Sequence, residues 1–150
     1  MVLLSKMVIN CDLESSYGIL RYPNVKQKLL AGETVWVPLY LNKNYEISNQ
    51  GNVHCIYKSG KKGVDLKCQI NKGGYHTLCV KGETGNLHQK GIHQLVLNSF
   101  YLNPFPHHLN SVDHIDTDKA NNDLCNLMFA SPKYQRGNQK VYKKRSSSLT

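Results

Sequence analysis

From residue 33 onward the chain alternates short apolar runs with polar breaks, most of them containing glycine. Thr34-Val35-Trp36-Val37-Pro38 is the first run. Tyr45-Glu46-Ile47-Ser48 then meets the turn-rich Asn49-Gln50-Gly51-Asn52. Val53 to Tyr57 follows, then the polar Ser59 to Gly63, and Val64 to Ile70 reads as one further strand. Asn71-Lys72-Gly73-Gly74 turns the chain into Tyr75 to Val80, and Lys81 to Asn86 turns it again. Strands of this length and spacing, joined by glycine-bearing turns, predict a small antiparallel sheet. The period changes at Ile92, where apolar residues at 92, 95, 96 and 100 mark a helix, with Leu97 off the stripe. Asn103-Pro104 and Pro106 are the expected stop. Asn110 to Ile115 is then a strand, Thr117 to Leu124 a polar loop, and Leu127 to Phe129 a second short strand. Ser131-Pro132 opens a helix reaching about Tyr142, with serine as N-cap and proline in the first turn. Residues 1–32 carry only short apolar patches, broken by Pro23, and are assigned an accessory or edge role.

Composition narrows the partner. The chain has 150 residues, 19 Lys and Arg against 10 Asp and Glu, and a formal net charge of +9. Such a balance favours an anionic partner, of which nucleic acid is the commonest. Lys58, Lys61, Lys62, Lys67, Lys72 and Lys81 decorate the sheet and read equally as a solvated face or a phosphate-facing one. Five scattered cysteines without a CxxC pair point to reduced thiols in an intracellular, not secreted, protein. Cys68, His76 and Cys79 read as strand side chains rather than zinc ligands. The apolar start is too short for a signal peptide, and no apolar run is long enough to span a membrane.

The acids are placed unevenly. Four of the ten, Asp113, Asp116, Asp118 and Asp123, fall between residues 113 and 123, with His114 among them. No acid lies between Glu83 and Asp113, and none follows Asp123. Carboxylates around one imidazole, inside basic sequence, suggest a hard divalent cation beside a bound polyanion. Histidine changes charge near neutral pH, which suits a general base. The bland reading is an Asp/Asn-rich turn, a composition common in turns. His93, at the start of the apolar helix, reads more readily as a packed or capping residue than as a ligand.

Asp113-His114-Ile115-Asp116, Asn121-Asn122, and Asn126-Leu127 before a serine-started helix resemble, in order and spacing, the HNH endonuclease family in its phage, intron and large-virus homing-type branch. Ile92-His93-Gln94-Leu95-Val96 with Phe100 resembles the helix that precedes this motif, with Gln94 where a basic residue is common. Trp36, the stretch Tyr45 to Val53, and Gly74-Tyr75 resemble a NUMOD-type DNA-binding motif. Together the resemblance covers roughly residues 33–140. It implies an α+β chain: a small antiparallel β-sheet module followed by a ββα-metal (His-Me finger) HNH nuclease fold. The corresponding division is an extension at 1–32, a DNA-binding region at 33–88, a nuclease module at 89–145 and a tail at 146–150.

The same resemblance assigns roles. His114 would be the base that activates water for attack on a phosphodiester. Asp113 would hold the metal, Mg²⁺ first, with Mn²⁺ or another divalent ion as the alternative. Asn126 would tie the loop and orient the base. Asp116, Asn122, Asn138 and His93 form a second tier, with Asp116 favoured as a loop brace. Gln135 stands where the family's final His or Asn falls, its amide oxygen one methylene further out than that of Asn; Asn138 or Gln139 lies a turn beyond. Lys133, Arg136, Lys140, Lys143, Lys144 and Arg145 would contact the phosphates of double-stranded DNA. A single site in a monomer would nick, and a homodimer would allow both strands to be cut. The competing reading, favoured by Gln135, is a DNA-binding protein that keeps the fold without cleavage. The compartment follows the DNA: host cytoplasm or nucleus for a viral protein.

Overall fold

The helix Ile92–Phe100 is apolar on most of its circumference. Ile92, Leu95, Val96, Leu97 and Phe100 are all buried, so Leu97 belongs to the core despite lying off the predicted stripe. A helix buried almost all round must be enclosed by other elements, and these small sheets enclose it. The computed structural model describes residues 18–131. In chain order the elements are β1 (Ile19–Leu20), a 3-10 turn (Pro23–Val25), α1 (Lys26–Leu30), β2 (Trp36–Leu39), β3 (Asn42–Ser48), β4 (Val53–Ile56), β5 (Lys62–Asp65), β6 (Gln69–Ile70), β7 (His76–Lys81), β8 (Leu87–Gly91), α2 (Ile92–Phe100), β9 (Tyr101–Leu102), β10 (Ser111–His114), a second 3-10 turn (Leu124–Asn126) and β11 (Leu127–Ala130). The class is α+β.

Among the described residues four antiparallel sheets form: β2-β3-β4-β5, β6-β7-β8, and the pairs β1-β9 and β10-β11. The expected strand from Val64 to Ile70 is instead two. Asp65 pairs with His54 in the first sheet, whereas Gln69 and Ile70 pair with Thr77 and His76 in the second. Both pieces are edge strands, and Val64 and Ile70 are 85% and 67% exposed. No buried face fixes a continuous register across 62–70, so the chain switches sheets there.

Helix α2 contacts both larger sheets and both strands of the β10-β11 hairpin. It ends before the prolines: Tyr101 continues directly into β9, paired with Leu20 of β1. The N-terminal segment is therefore more than an edge accessory. Leu20 and Leu29 are buried, and one hydrophobic cluster runs from Leu20 to Phe129. At the head of α2 the Gln94 side chain accepts a hydrogen bond from the Gly91 N–H at 3.1 Å, satisfying one donor at the helix start. That is the structural use of glutamine at this position.

The Asn49–Asn52 turn is a docking point. The Leu124 N–H donates to the Asn49 carbonyl at 2.8 Å. Gly51 has a φ of +94°, and a Cβ there would lie 2.8 Å from Ile92 Cγ2 and 3.4 Å from Asn122 Cβ. A left-handed glycine lets the turn lie against both α2 and the loop that follows β10.

Candidate active site

The hairpin β10-β11 carries the acidic clump. Asp113 faces Met128 and His114 faces Leu127 in register, and the Ile115 N–H adds a bond to the Asn126 carbonyl at 2.7 Å. Neighbouring strand residues point to opposite faces. Both Asp113 and His114 are nevertheless buried, at 9% and 3% exposure. The chain turns sharply after His114: Thr117 takes a φ of 65° and its N–H donates to the His114 carbonyl. A β-branched residue is rarely left-handed.

A closed net of side chains shapes the loop. Asn126 donates from Nδ2 to Asp116 Oδ1 at 2.9 Å and to the Asn121 carbonyl at 2.8 Å, and accepts from the Asp116 N–H at 3.1 Å. Asp116 also accepts from the Asp118 N–H and from Asn121 Nδ2, each at 2.8 Å. Both carboxylate oxygens of Asp116 are thus engaged in bracing the loop. Asp123 is held above the usual carboxylate range by burial and, secondly, by the charge of Asp116.

His114 is held by a different asparagine. Its Nε2 lies 2.9 Å from Asn122 Oδ1. Asn126 acts on the imidazole only through the loop, whereas Asn122 touches it. An amide oxygen can only accept, so Nε2 carries the proton and Nδ1 keeps its lone pair. Among the described residues Nδ1 has no hydrogen-bond partner, and no buried side-chain nitrogen or oxygen is left unsatisfied. Nδ1 therefore reaches accessible space.

His93 lies against the same ring, centroid to centroid at 4.8 Å, and stacks on Tyr75 at 5.1 Å. Burial pushes the His93 imidazole down to about 4, with a smaller contribution from His114. Tyr75 is covered by Lys119, whose Nζ lies 4.8 Å from the ring centroid and donates to the Gly73 carbonyl at 2.6 Å. Sequence reasoning missed Tyr75 and Lys119 as members of this site and placed Asn122 behind Asn126. The adjacent Asn121-Asn122 pair was the available signal, since either amide can reach a neighbouring histidine.

Oxygen donors suit a hard divalent cation, and the buried carboxylate of Asp113 is such a donor. Among the described residues no group of three or more His, Cys, Asp or Glu side chains gathers around a common point. Cys68 Sγ and His76 Nδ1 approach to 3.6 Å, with both Cys68 and Cys79 exposed. Asp113 thus fits a cation whose other donors come from amides, water or elsewhere in the chain. Gln135, Asn138, Lys133, Arg136, Lys140, Lys143, Lys144 and Arg145, with the helix expected from Ser131, lie outside the described residues.

The hairpin thus holds a buried imidazole, with one nitrogen unpartnered among the described residues, next in sequence to a buried carboxylate. No family model matches the chain. An uncharacterised HNH endonuclease of Acanthamoeba polyphaga mimivirus is 31% identical over 118 residues, 75% of this chain and 33% of that protein. The DNA endonuclease I-HmuI of Bacillus phage SP01 is 40% identical over 97 residues, 64% of this chain and 51% of that protein. A solved structure of the HNH homing endonuclease I-HmuI, described as showing DNA binding and cleavage, matches with a TM-score of 0.52 and 28% identity, covering 77% of this chain and 65% of that one. The chain belongs to the HNH homing-type endonuclease family. It spans about a third to a half of the length of these two relatives.

Proposed function

We propose that the chain is a metal-dependent DNA endonuclease in which His114 is the general base. The observation that carries this reading is the hydrogen bond from His114 Nε2 to Asn122 Oδ1 at 2.9 Å. It turns Nδ1 into the acceptor, so that nitrogen takes the proton from a water as its oxygen attacks the phosphorus. Asn126 and Asp116 hold the loop that presents Asn122. Asp113 would hold a divalent cation, Mg²⁺ in the first instance, together with Gln135 or Asn138. When bound, that ion would stabilise the charge on the phosphorane and the leaving oxygen.

Double-stranded DNA is the proposed substrate. I-HmuI binds and cleaves DNA, and this chain carries a net charge of +9. Lys133, Arg136, Lys140 and the Lys143 to Arg145 cluster are the proposed phosphate contacts, which makes binding weaken steeply with salt. The preferred scheme is a ββα-metal centre acting once per monomer and producing a nick.

The test is conversion of supercoiled plasmid in Mg²⁺, Mn²⁺ or EDTA by the native chain and by His114→Ala. Open circles that form with either metal, and are absent in EDTA and with the variant, support the reading. Binding to the plasmid with no cleavage in either metal would replace it with a DNA-binding role.

A further inference from the structure

Beside His114 lies an open cavity of about 580 Å³, lined among others by Tyr75, Thr77, Gln89, His93, Gln94 and Ser111. That volume falls in the range of small-molecule sites. Apart from Gly91 and Val112, the lining residues are amides, hydroxyls, an imidazole and a phenol, with no Lys, Arg, Asp or Glu among them. A phosphate would seek cations there, whereas amide side chains alone can meet the edge of a nucleobase.

His93 is the member that asks for a ligand. It is 9% exposed, and among the described residues neither ring nitrogen has a hydrogen-bond partner. Its faces are taken by Tyr75 and His114, which leaves only its edge for the cavity. Gly91 keeps that edge clear. A Cβ at 91 would clash with His93 Cε1 and lie 2.6 Å from Nδ1. The Gly91 backbone, at φ −65° and ψ 141°, suits any residue, so the glycine is needed for space and not for conformation. Burial keeps the imidazole neutral at pH 7, so one nitrogen can donate and the other accept.

The cavity also offers donors. Gln94 Oε1 is occupied by the Gly91 N–H, and Asn71 Oδ1 by the N–H groups of Gly73 and Tyr75. Both amide NH₂ groups remain without a partner among the described residues. They match the ring-nitrogen and carbonyl acceptors that nucleobases carry.

We propose that this cavity is a nucleobase subsite: it takes the base of one nucleotide flanking the phosphodiester that His114 addresses, and His93 hydrogen-bonds that base. The subsite rests on the nuclease reading above and adds to it a binding residue and a place for the substrate.

The experiment uses the full chain and a duplex containing its mapped nick site. The same duplex is also made with an abasic (tetrahydrofuran) nucleotide at each position on either side of the nick. His93→Phe keeps a ring between Tyr75 and His114 and removes the hydrogen bond. On the normal duplex it should lower kcat/KM roughly tenfold, with an unchanged thermal midpoint, and His93→Gln should recover part of the loss. At one flanking position the abasic duplex should cost the native protein a similar factor, and there His93→Phe should cost nothing more. Losses that multiply at every position would mean that His93 acts only on His114, and would overturn the subsite while leaving the nuclease standing. A native chain that cuts no DNA would overturn both.

Discussion

His54 and His114 are buried to nearly the same degree, 4% and 3% exposed, yet their surroundings are opposites. His54 sits in the first sheet with Nε2 3.2 Å from Glu46 and Nδ1 3.6 Å from Asp65. Trp36 lies on its face at 4.2 Å, and Lys62 reaches both Trp36 and Glu46. Both ring nitrogens have an acidic neighbour, so the residue clasps three strands and has nothing left for a reaction. His114 has one nitrogen on a neutral amide and the other without a partner among the described residues. Burial alone does not mark a working histidine. The proposed role of His114 depends on its unclaimed nitrogen.

The widest separation between the two regions should come from deletion. His114→Ala should slow plasmid nicking by about 10²- to 10⁴-fold, the usual worth of a positioned base, in protein that is still folded. His54→Ala should do the reverse, costing about 1–3 kcal/mol in urea denaturation while the folded protein nicks at the native rate. Equal activity losses in the two variants would break the comparison.

Acid should then weaken the His114 side through its neighbour. His93 titrates at about 4 in the folded chain, below its ordinary 6.5. The unfolded chain binds more protons between those values, so the stability is present above pH 6.5 and lost as pH falls towards 4. The loss is at most roughly 3 kcal/mol. Urea midpoints at pH 7 and 4.5 should show it in the native protein and show less of it in His93→Phe.

Asn122→Leu sharpens the contrast at one bond. It removes the acceptor on Nε2 and lets His114 take the other tautomer. We expect kcat to fall about tenfold with KM within about twofold. A change confined to KM would mean that Asn122 binds substrate and does not set the base. The smallest effect should link the regions. Gly51→Ala places a Cβ at a φ of +94° and 2.8 Å from Ile92. It should cost about 1–2 kcal/mol, read as a lower thermal midpoint, and slow nicking modestly through Asn122.

Much of the fold was legible because its signals are local. The helix Ile92–Phe100, the runs at 36–39, 53–56 and 76–81, and the hairpin around the acidic clump follow from period and turn chemistry. The stretch 62–70 misled because an edge strand buries neither face, so its apolar residues carry no register information. The helix stop misled because Tyr101 finds a strand partner in β1, eighty residues upstream in the chain. Within the site, Asp113 and His114 stood out as a carboxylate beside an imidazole. Which asparagine touches the imidazole did not, because Asn122 and Asn126 are the same residue type in one loop and only the turn at Thr117 decides between them.

The sequence by itself determined the element types, the basic balance, the acidic clump and the family. These depend on neighbours within a few residues or on ordered motifs. The tertiary structure alone decided which nitrogen of His114 is free, that Tyr75 and His93 stack beside it, and that the turn at Gly51 supports Asn122. The last two join residues far apart in the chain, and the first follows from how the loop after β10 folds. They are set by how the sheets close around α2, and no local pattern of residues encodes that closure.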